Sequence, residues 1–225
     1  MAKKTLLSWS SGKDSAWTLY HLQQDEDIEL VGLVTTVNET HQRVAMHAVR
    51  VELLKQQAQA ANLPLHIIYI PHPCSNELYN KAMNDFFDSI EGKGITHMAF
   101  GDLYLEDIRQ YRVDNLKLTE LEPLFPLWLK PTEELAHAML EGGLKTRITC
   151  VDPKQLPASF CGREFNQQFL EDLPDGVDPC GENGEFHSFA YAGPMFQQEI
   201  RITSGEVVER DGFVFADLMS ESSSE

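Results

Sequence analysis

The chain has 225 residues, 42% of them hydrophobic, and Lys+Arg 18 against Asp+Glu 35 leave a net charge of −17. Such a chain is globular, one ordinary domain with room for a smaller second one. So acidic a surface argues against nucleic acid and anionic membrane as partners, because the basic residues are scattered and form no overriding patch.

The apolar run Thr5 to Trp9 is a short strand that leads through Ser10-Ser11-Gly12-Lys13-Asp14-Ser15 into a helical segment, Ala16 to Leu22. Strand, small-residue loop, helix is the order that builds a phosphate seat, since the N–H groups at a helix start point outward with partial positive charge. Gly12 lets the backbone approach an anion, Lys13 adds a full charge, and the serines add donors. The string is not the common GxxxxGK[ST] loop: Leu7 stands at its first glycine and Asp14 follows the lysine. An acid at that place makes sense if it holds a cation or positions the lysine. Ile28 to Val37 is the next strand, and His47 to Ala61 a helix with Val49, Leu53, Leu54 and Ala58 on one face. A strand from Leu65 to Ile70, a helix from Asn76 to Ile90 and a short strand from His97 to Phe100 follow, the last running into Gly101-Asp102. This order predicts an α/β fold with a parallel sheet covered by helices on both faces. Ligands in such sheets sit at the carboxyl ends of strands, so Ser10, Thr35 with Thr36, and Gly101 with Asp102 are expected on one rim.

Pro123, Pro126 and Pro131 mark a domain joint near residue 125. Beyond it Thr132 is expected to cap a helix ended by Gly142-Gly143, followed by a strand from Thr146 to Val151 and a helix from Arg163 to Leu173. From Phe186 onward the pattern is all strand, with Asp211-Gly212 as a tight hairpin turn. The expected division is an α/β domain over 1–125, a smaller α+β domain over 126–218 and a disordered tail over 219–225. Cys74, Cys150, Cys161 and Cys180 include no Cys-x-x-Cys pair, and neither a secretory signal nor a membrane span is visible. Reduced thiols and a cytoplasmic location are the expectation.

Two further clusters carry candidate chemistry. Asp102, at a strand end, is placed to help hold Mg²⁺ together with Asp14, while Arg109 and Arg112, three apart on one helix, offer an arginine for phosphates or simply pair with Glu106 and Asp107. Asp178 to Ser188 packs glycines, acids, Asn183, Cys180 and His187 into one turn, a concentration that suits binding a polar substrate or poising a base; the alternative is a solvated hairpin. Cys180 has no neighbour that guarantees a reactive thiolate, and a zinc site from Cys150, Cys161, Cys180 and His187 matches no usual spacing. Met46-His47 offers a ligand, a base or only a helix cap.

The SSGKDS loop is similar to the SGGKDS signature of PP-loop ATP pyrophosphatases, which split ATP between its α and β phosphates. With Gly101-Asp102, Pro123 to Trp128, Gly143, the Thr149 to Asp152 strand and Cys180-Gly181-Glu182-Asn183-Gly184-Glu185, the chain resembles the diphthine–ammonia ligase family, which makes the last amide of diphthamide on elongation factor 2. The likeness runs from about Thr5 to Phe196. It implies a Rossmann-like fold of the adenine nucleotide alpha-hydrolase type and ATP with Mg²⁺. It also implies nucleotide contacts from Ser10, Ser11, Gly12, Lys13, Asp14, Ser15, Thr35, Gly101, Asp102 and Arg109. The late motif, Cys180 to Glu185, would serve the second substrate. Lys13 and Asp14, with Glu182, Glu185 or His187 orienting or deprotonating an amine, would carry the chemistry. Ser11 departs from the usual glycine, a mild change in size. Glu185-Phe186-His187-Ser188 departs from an E-Y-E-T pattern and resembles a bacterial-type branch, where the acceptor would differ because bacteria make no diphthamide. The implied reaction adenylates a small-molecule or protein carboxylate, releases pyrophosphate and transfers ammonia or an amine. A PP-loop tRNA-modifying enzyme and a module that holds ATP or AMP without turnover are the alternatives, and a homo-oligomer is open because exposed strands near the C-terminus could pair.

Overall fold

The computed structural model describes residues 2–40, 43–44 and 49–221. Strand β1 (Lys3–Ser8) leads into helix α1 (Lys13–Gln23), and the alternation continues with β2 (Ile28–Asn38), β3 (Arg43–Val44), α2 (Val51–Ala60), β4 (Leu65–Ile70), α3 (Asn76–Ile90), β5 (His97–Ala99), α4 (Glu106–Leu116) and β6 (Glu122–Leu124). Strands β4, β2, β1, β5 and β6 lie side by side and parallel in that order, with β3 added antiparallel at the end of β2. The chain therefore moves outward from β1 in one direction and returns to build β5 and β6 on its other edge. The crevice at such a reversal, between the carboxyl ends of β1 and β5, is where doubly wound sheets hold ligands. The α/β, Rossmann-like expectation holds.

Alternation along β1 decides how the sheet is buried. Leu7 packs with Leu19, Leu53 and Leu54 on one face, while Leu6 packs with Val34, Phe87, Met98 and Leu116 on the other. Helix α3 starts where Ser75 accepts the Leu78 N–H at 3.3 Å, the side-chain cap expected of serine. Helix α2 is shorter than the periodicity suggested; Met46 and His47 lie outside the described residues.

The second half builds an antiparallel sheet around β7 (Lys145–Val151), after helix α5 (Thr132–Glu141). On one edge β7 pairs with β9 (Phe186–Ala192); on the other it pairs with β8 (Glu164–Phe165) near its start and β11 (Phe213–Ser220) near its end, and β10 (Ile202–Arg210) pairs outside β11. Asp211 and Gly212, at φ 54° and 82°, make the hairpin turn joining β10 to β11. One apolar core runs from Leu7 and Trp9 through to Phe189, Ala190 and Phe196, so this sheet closes over α1 and α2 without a break.

Three local expectations change. The segment 163–173 is not one helix: β8 comes first, and Asn166 then caps the five-residue helix α6 (Gln167–Glu171) by accepting the Phe169 N–H at 2.9 Å. Thr132 is the first helical residue of α5 rather than its cap, because its hydroxyl donates to Asp178 Oδ2 at 2.7 Å and so turns to the late loop. The late strands are interrupted after Ala192 by Gly193-Pro194, and β11 continues through Met219 and Ser220, which pair with Thr203 and Ile202. No helix among the described residues is long and apolar enough to cross a membrane.

Candidate active site

Five contacts shape the loop after β1, three within it and two from β9. Ser10 Oγ lies 3.1 Å from Ser15 Oγ and accepts the Gly12 N–H at 3.3 Å, and Ser15 Oγ donates to the Gly12 carbonyl at 3.0 Å. From the opposite side, Ser188 Oγ accepts the Lys13 N–H at 3.1 Å and the Ala190 N–H donates to the Ser11 carbonyl at 2.9 Å. The phosphate-type loop is thus built against β9, a strand that lies about 175 positions further along the chain. Ser11 sits at φ 71°, the left-handed region that favours glycine, and its buried hydroxyl has no partner among the described residues. The departure from glycine at this position is one of backbone conformation, not of size.

Lys13 is 2% exposed. Its Nζ donates to Asp14 Oδ1 at 3.0 Å and Oδ2 at 2.8 Å and to the Cys180 carbonyl, and it faces the Phe186 ring at 5.2 Å. Burial pulls the ammonium pKa down, but the fields of Asp14, Cys180 and Glu182 outweigh it and hold the pKa above its ordinary value.

The loop 178–185 owes its shape to Asp178. Asp178 Oδ1 accepts the N–H groups of Cys180 at 2.8 Å and Glu182 at 3.3 Å, while Oδ2 takes the Thr132 hydroxyl. At Gly181, φ 67°, a Cβ would lie 2.9 Å from the Phe186 carbonyl, so only glycine fits. Glu185 is buried; its Oε1 accepts from the Asp178 N–H and Asn183 Nδ2, both at 3.0 Å, and its Oε2 has no partner among the described residues. Glu182 reaches across the crevice to accept the Leu103 N–H at 2.8 Å, and Tyr104 donates its hydroxyl to Asn183 Oδ1 at 3.1 Å. Burial pushes the half-buried Glu182 carboxyl up to about 7, against the Leu103 hydrogen bond and with Asp14 adding to the rise. Burial also pushes the Cys180 thiol up, and its Sγ donates to the Thr132 carbonyl at 3.3 Å. A thiol so held is a structural group, not a nucleophile.

Two adjoining cavities occupy the crevice and share Ser8, Ser10, Phe100, Arg112 and His187 in their walls. The polar one, about 250 Å³, is lined also by Lys13, Asp14, Ser15, Gly101, Asp102, Gly181, Glu182 and Gly184. The other, about 270 Å³, is lined by Thr35, Thr36, Tyr79, Met83, Phe87 and Asn115. The Thr35 hydroxyl is buried and unpartnered among the described residues. Ser11, Gly12, Cys180, Asn183 and Glu185 line neither cavity; they set the backbone of the two loops that do. Arg109 lies elsewhere: its guanidinium rests over Phe125 at 5.2 Å and Trp128 at 5.0 Å, with Glu106 at 3.9 Å. Arg112 is the arginine of the crevice, over Phe100 at 5.3 Å with its Nε 3.4 Å from Asp102 Oδ2. Three-residue spacing placed both arginines on one helical face but could not say which would be drawn onto the aromatic pair. Among the described residues no group of three or more His, Cys, Asp or Glu side chains could hold a metal ion, so the Cys150, Cys161, Cys180 and His187 set is not assembled.

Ser188, the last residue of the late cluster, holds the start of α1 from β9, a role the sequence did not indicate. One residue of the site had no motif to announce it. Gln57 is fully buried beneath the loop, bonded to Trp9, Ser11 and Ala190. The only trace of Gln57 in the sequence is a polar residue on the apolar face of α2, one turn from Leu53 and Leu54. Replacing Ser11 by glycine removes both the left-handed strain and an unpaired buried hydroxyl, partly offset by the greater freedom of an unfolded glycine. Ser11→Gly is expected to raise stability by about 0.5–1 kcal/mol, as a rightward shift of the urea midpoint. A leftward shift would mean that the hydroxyl is used.

Residues 3–117 match the family model of the diphthamide synthase N-terminal domain and residues 131–218 that of the diphthamide synthase C-terminal domain. The human diphthine–ammonia ligase is 28% identical over 192 residues, 78% of this chain and 70% of that protein. The bovine diphthine–ammonia ligase is 33% identical over 118 residues, 50% of this chain and 44% of that protein. The fission yeast one is 31% identical over 110 residues, 47% of this chain and 18% of that protein. The chain thus spans less than half the length of the bovine and yeast relatives. With both domain models matched in order across most of its length, the chain belongs to the diphthamide synthase family.

Proposed function

We propose that this protein is an ATP-dependent amide ligase that adenylates a carboxylate and then transfers ammonia or an amine to it. One observation carries this reading: the phosphate-type loop and the acidic late loop meet in a single cavity, joined by Lys13 Nζ on the Cys180 carbonyl. A module that only holds a nucleotide has no use for the second loop. An RNA-modifying enzyme needs a positive surface, which a net charge of −17 does not favour.

A carboxylate oxygen of the acceptor attacks the α-phosphorus, pyrophosphate leaves, and the acyl–AMP so formed has a leaving group that the bare carboxylate lacked. A neutral amine then adds to the acyl carbon, AMP departs, and the proton shed by the amine goes to a base. The nucleoside fits the cavity with Thr35 and Tyr79, and the phosphates the cavity with Ser10, Lys13 and Ser15. Charge growing on the leaving pyrophosphate meets Arg112, the Lys13 ammonium and the start of α1. Glu182, whose carboxyl titrates near 7, and His187 are the bases within the same walls.

Each cation of the polar cavity is matched by an acid, Lys13 by Asp14 and Arg112 by Asp102. A bare triphosphate would therefore find little net positive charge, which favours its entry with Mg²⁺. Asp14 and Asp102 are the residues that would hold this ion, with phosphate oxygens and water completing its shell; bound there it would neutralise the phosphates.

Incubation with ATP, Mg²⁺ and a panel of carboxylates, with and without ammonium, should release AMP and pyrophosphate; ADP and phosphate would refute the chemistry. Arg112→Met should lower pyrophosphate release by 10²–10³, about 3–4 kcal/mol, whereas Arg109→Met stays within a few-fold. Lys13→Ala alone would strand Asp14 and the Cys180 carbonyl and so confound fold with function. Lys13→Met with Asp14→Asn removes both charges together, so that only the neutral Cys180 carbonyl loses its partner, and should abolish release in a protein that still folds, its urea midpoint lowered by about one hydrogen bond.

The raised carboxyl of Glu182 has a second consequence. The folded state holds this proton more tightly than the unfolded chain, so its contribution is full below the ordinary carboxylate range and is lost as pH rises through about 7. Relative to Glu182→Gln, the parent protein should lose about 1–3 kcal/mol of stability between pH 5 and pH 8, less where solvent screens the group. Urea unfolding at both pH values decides it, and parallel behaviour of the two proteins would remove the assignment.

A further inference from the structure

The side chain of Gln57 makes three of the four hydrogen bonds open to a primary amide, one to each of three neighbours. Its Oε1 accepts the Trp9 Nε1–H at 2.9 Å, and its Nε2 donates one hydrogen to the Ser11 carbonyl at 2.9 Å and the other to the Ala190 carbonyl at 2.6 Å. The orientation of the amide is unambiguous, because an indole N–H can only donate and a carbonyl can only accept. The residue is 0% exposed and lines neither cavity.

The Ser11 carbonyl receives two hydrogen bonds, from Gln57 and from the Ala190 N–H. In a trans peptide the carbonyl and the following N–H point in opposite directions. Pinning the Ser11 carbonyl toward α2 and β9 therefore aims the Gly12 N–H the other way, toward Ser10 Oγ at 3.3 Å, on the side where both cavities open. The pinned peptide belongs to a residue already held at φ 71°, which the backbone would otherwise leave.

We infer that Gln57 is a positioning residue for nucleotide binding: it sets the peptide plane between Ser11 and Gly12 and locks the phosphate-type loop to β9. No other side chain supplies two donors and one acceptor in this geometry at this length. Glutamate would face two carbonyls with an acceptor, and methionine would leave the Trp9 N–H and the Ala190 carbonyl unpaired. The inference rests on the loop being the triphosphate site, and MgATP binding tests it without requiring that ATP be cleaved.

The test compares Gln57→Met with Leu53→Ala, a buried change on the same helix that leaves the amide in place. Dissociation constants for MgATP are measured by calorimetry at a temperature where both variants are folded by circular dichroism. Gln57→Met should bind MgATP at least 10-fold more weakly, while Leu53→Ala, though destabilised, stays within 2-fold of the parent. Equal affinity in all three, or equal weakening in both variants, overturns the inference. Should Gln57→Met not fold, Gln57→Glu supplies the second arm. When protonated at pH 5 it retains one O–H donor and one acceptor, and when ionised at pH 8 it retains no donor. Its MgATP affinity relative to the parent should fall at least 10-fold from pH 5 to pH 8, and an unchanged ratio overturns the inference. Binding by the parent protein without AMP formation would refute the proposed ligase activity yet leave this comparison intact.

Discussion

A charged ammonium that is 2% exposed must find its partners within the protein, and for Lys13 these come from both halves of the chain: the neighbouring Asp14 and the Cys180 carbonyl. Removing one member of such a pair costs about 3 kcal/mol or more, since the other is left desolvated and unmatched. Separating the two loops leaves that pair intact but breaks the hydrogen bond of the Lys13 ammonium to the Cys180 carbonyl, a charge-assisted contact worth about 1.5–3 kcal/mol. The glycine conformations of Gly181 and Gly184, the Asp178 turn and the buried Glu185 all serve to bring one backbone carbonyl to this ammonium. Phe186, beneath Nζ at 5.2 Å, keeps water out while its ring face favours the charge.

The parallel sheet supplies the crevice and the antiparallel sheet supplies its far wall. Strand order turns at β1, so the ends of β1 and β5 have no crossover helix between them and the space above is open. Strand β9 then crosses behind the loop: its Ser188 accepts the Lys13 N–H that a free helix start would leave to solvent or ligand, while its Ala190 N–H binds the Ser11 carbonyl. Part of the anion-binding capacity of the loop is thus spent on attaching it. What remains faces the polar cavity together with Arg112, which lines both cavities and stands at their junction.

The loop at Lys13 was legible because its chemistry is local: a strand, a glycine and a lysine at a helix start carry their meaning in adjacent residues. The late cluster was legible as a site but not in its division of labour. Glu182 and His187 face the cavity, whereas the buried Cys180 and Glu185 face inward and the exposed Asn183 braces Glu185 from outside, a distinction that depends on which way the loop 178–185 curls. Arg109 and Arg112 could not be told apart, because cation–π contact with Phe125 and Trp128 is a tertiary event. The segment 163–173 misled through its helix-favouring Gln167 to Glu171; pairing of Glu164 and Phe165 with β7 overrides propensity there. Gln57 was invisible since one polar residue on an apolar helical face has meaning only once its three partners are in place.

The balance of charge in the crevice bears on how adenylation would be kept from becoming hydrolysis. A crevice in which Lys13 and Arg112 are each matched by an acid exerts no strong pull on free phosphate or on product pyrophosphate. Binding energy would then come from shape, from the apolar walls of Met83 and Phe87, and from whatever cation travels with the nucleotide. Release of a doubly charged product is easier from such a site than from one with unpaired lysines. The acyl–AMP would be left facing Glu182 and His187, the two groups able to take the proton of an incoming amine. Since burial raises the Glu182 carboxyl to about 7, it is a stronger base for the proton of the adding amine than an ordinary solvated carboxylate would be.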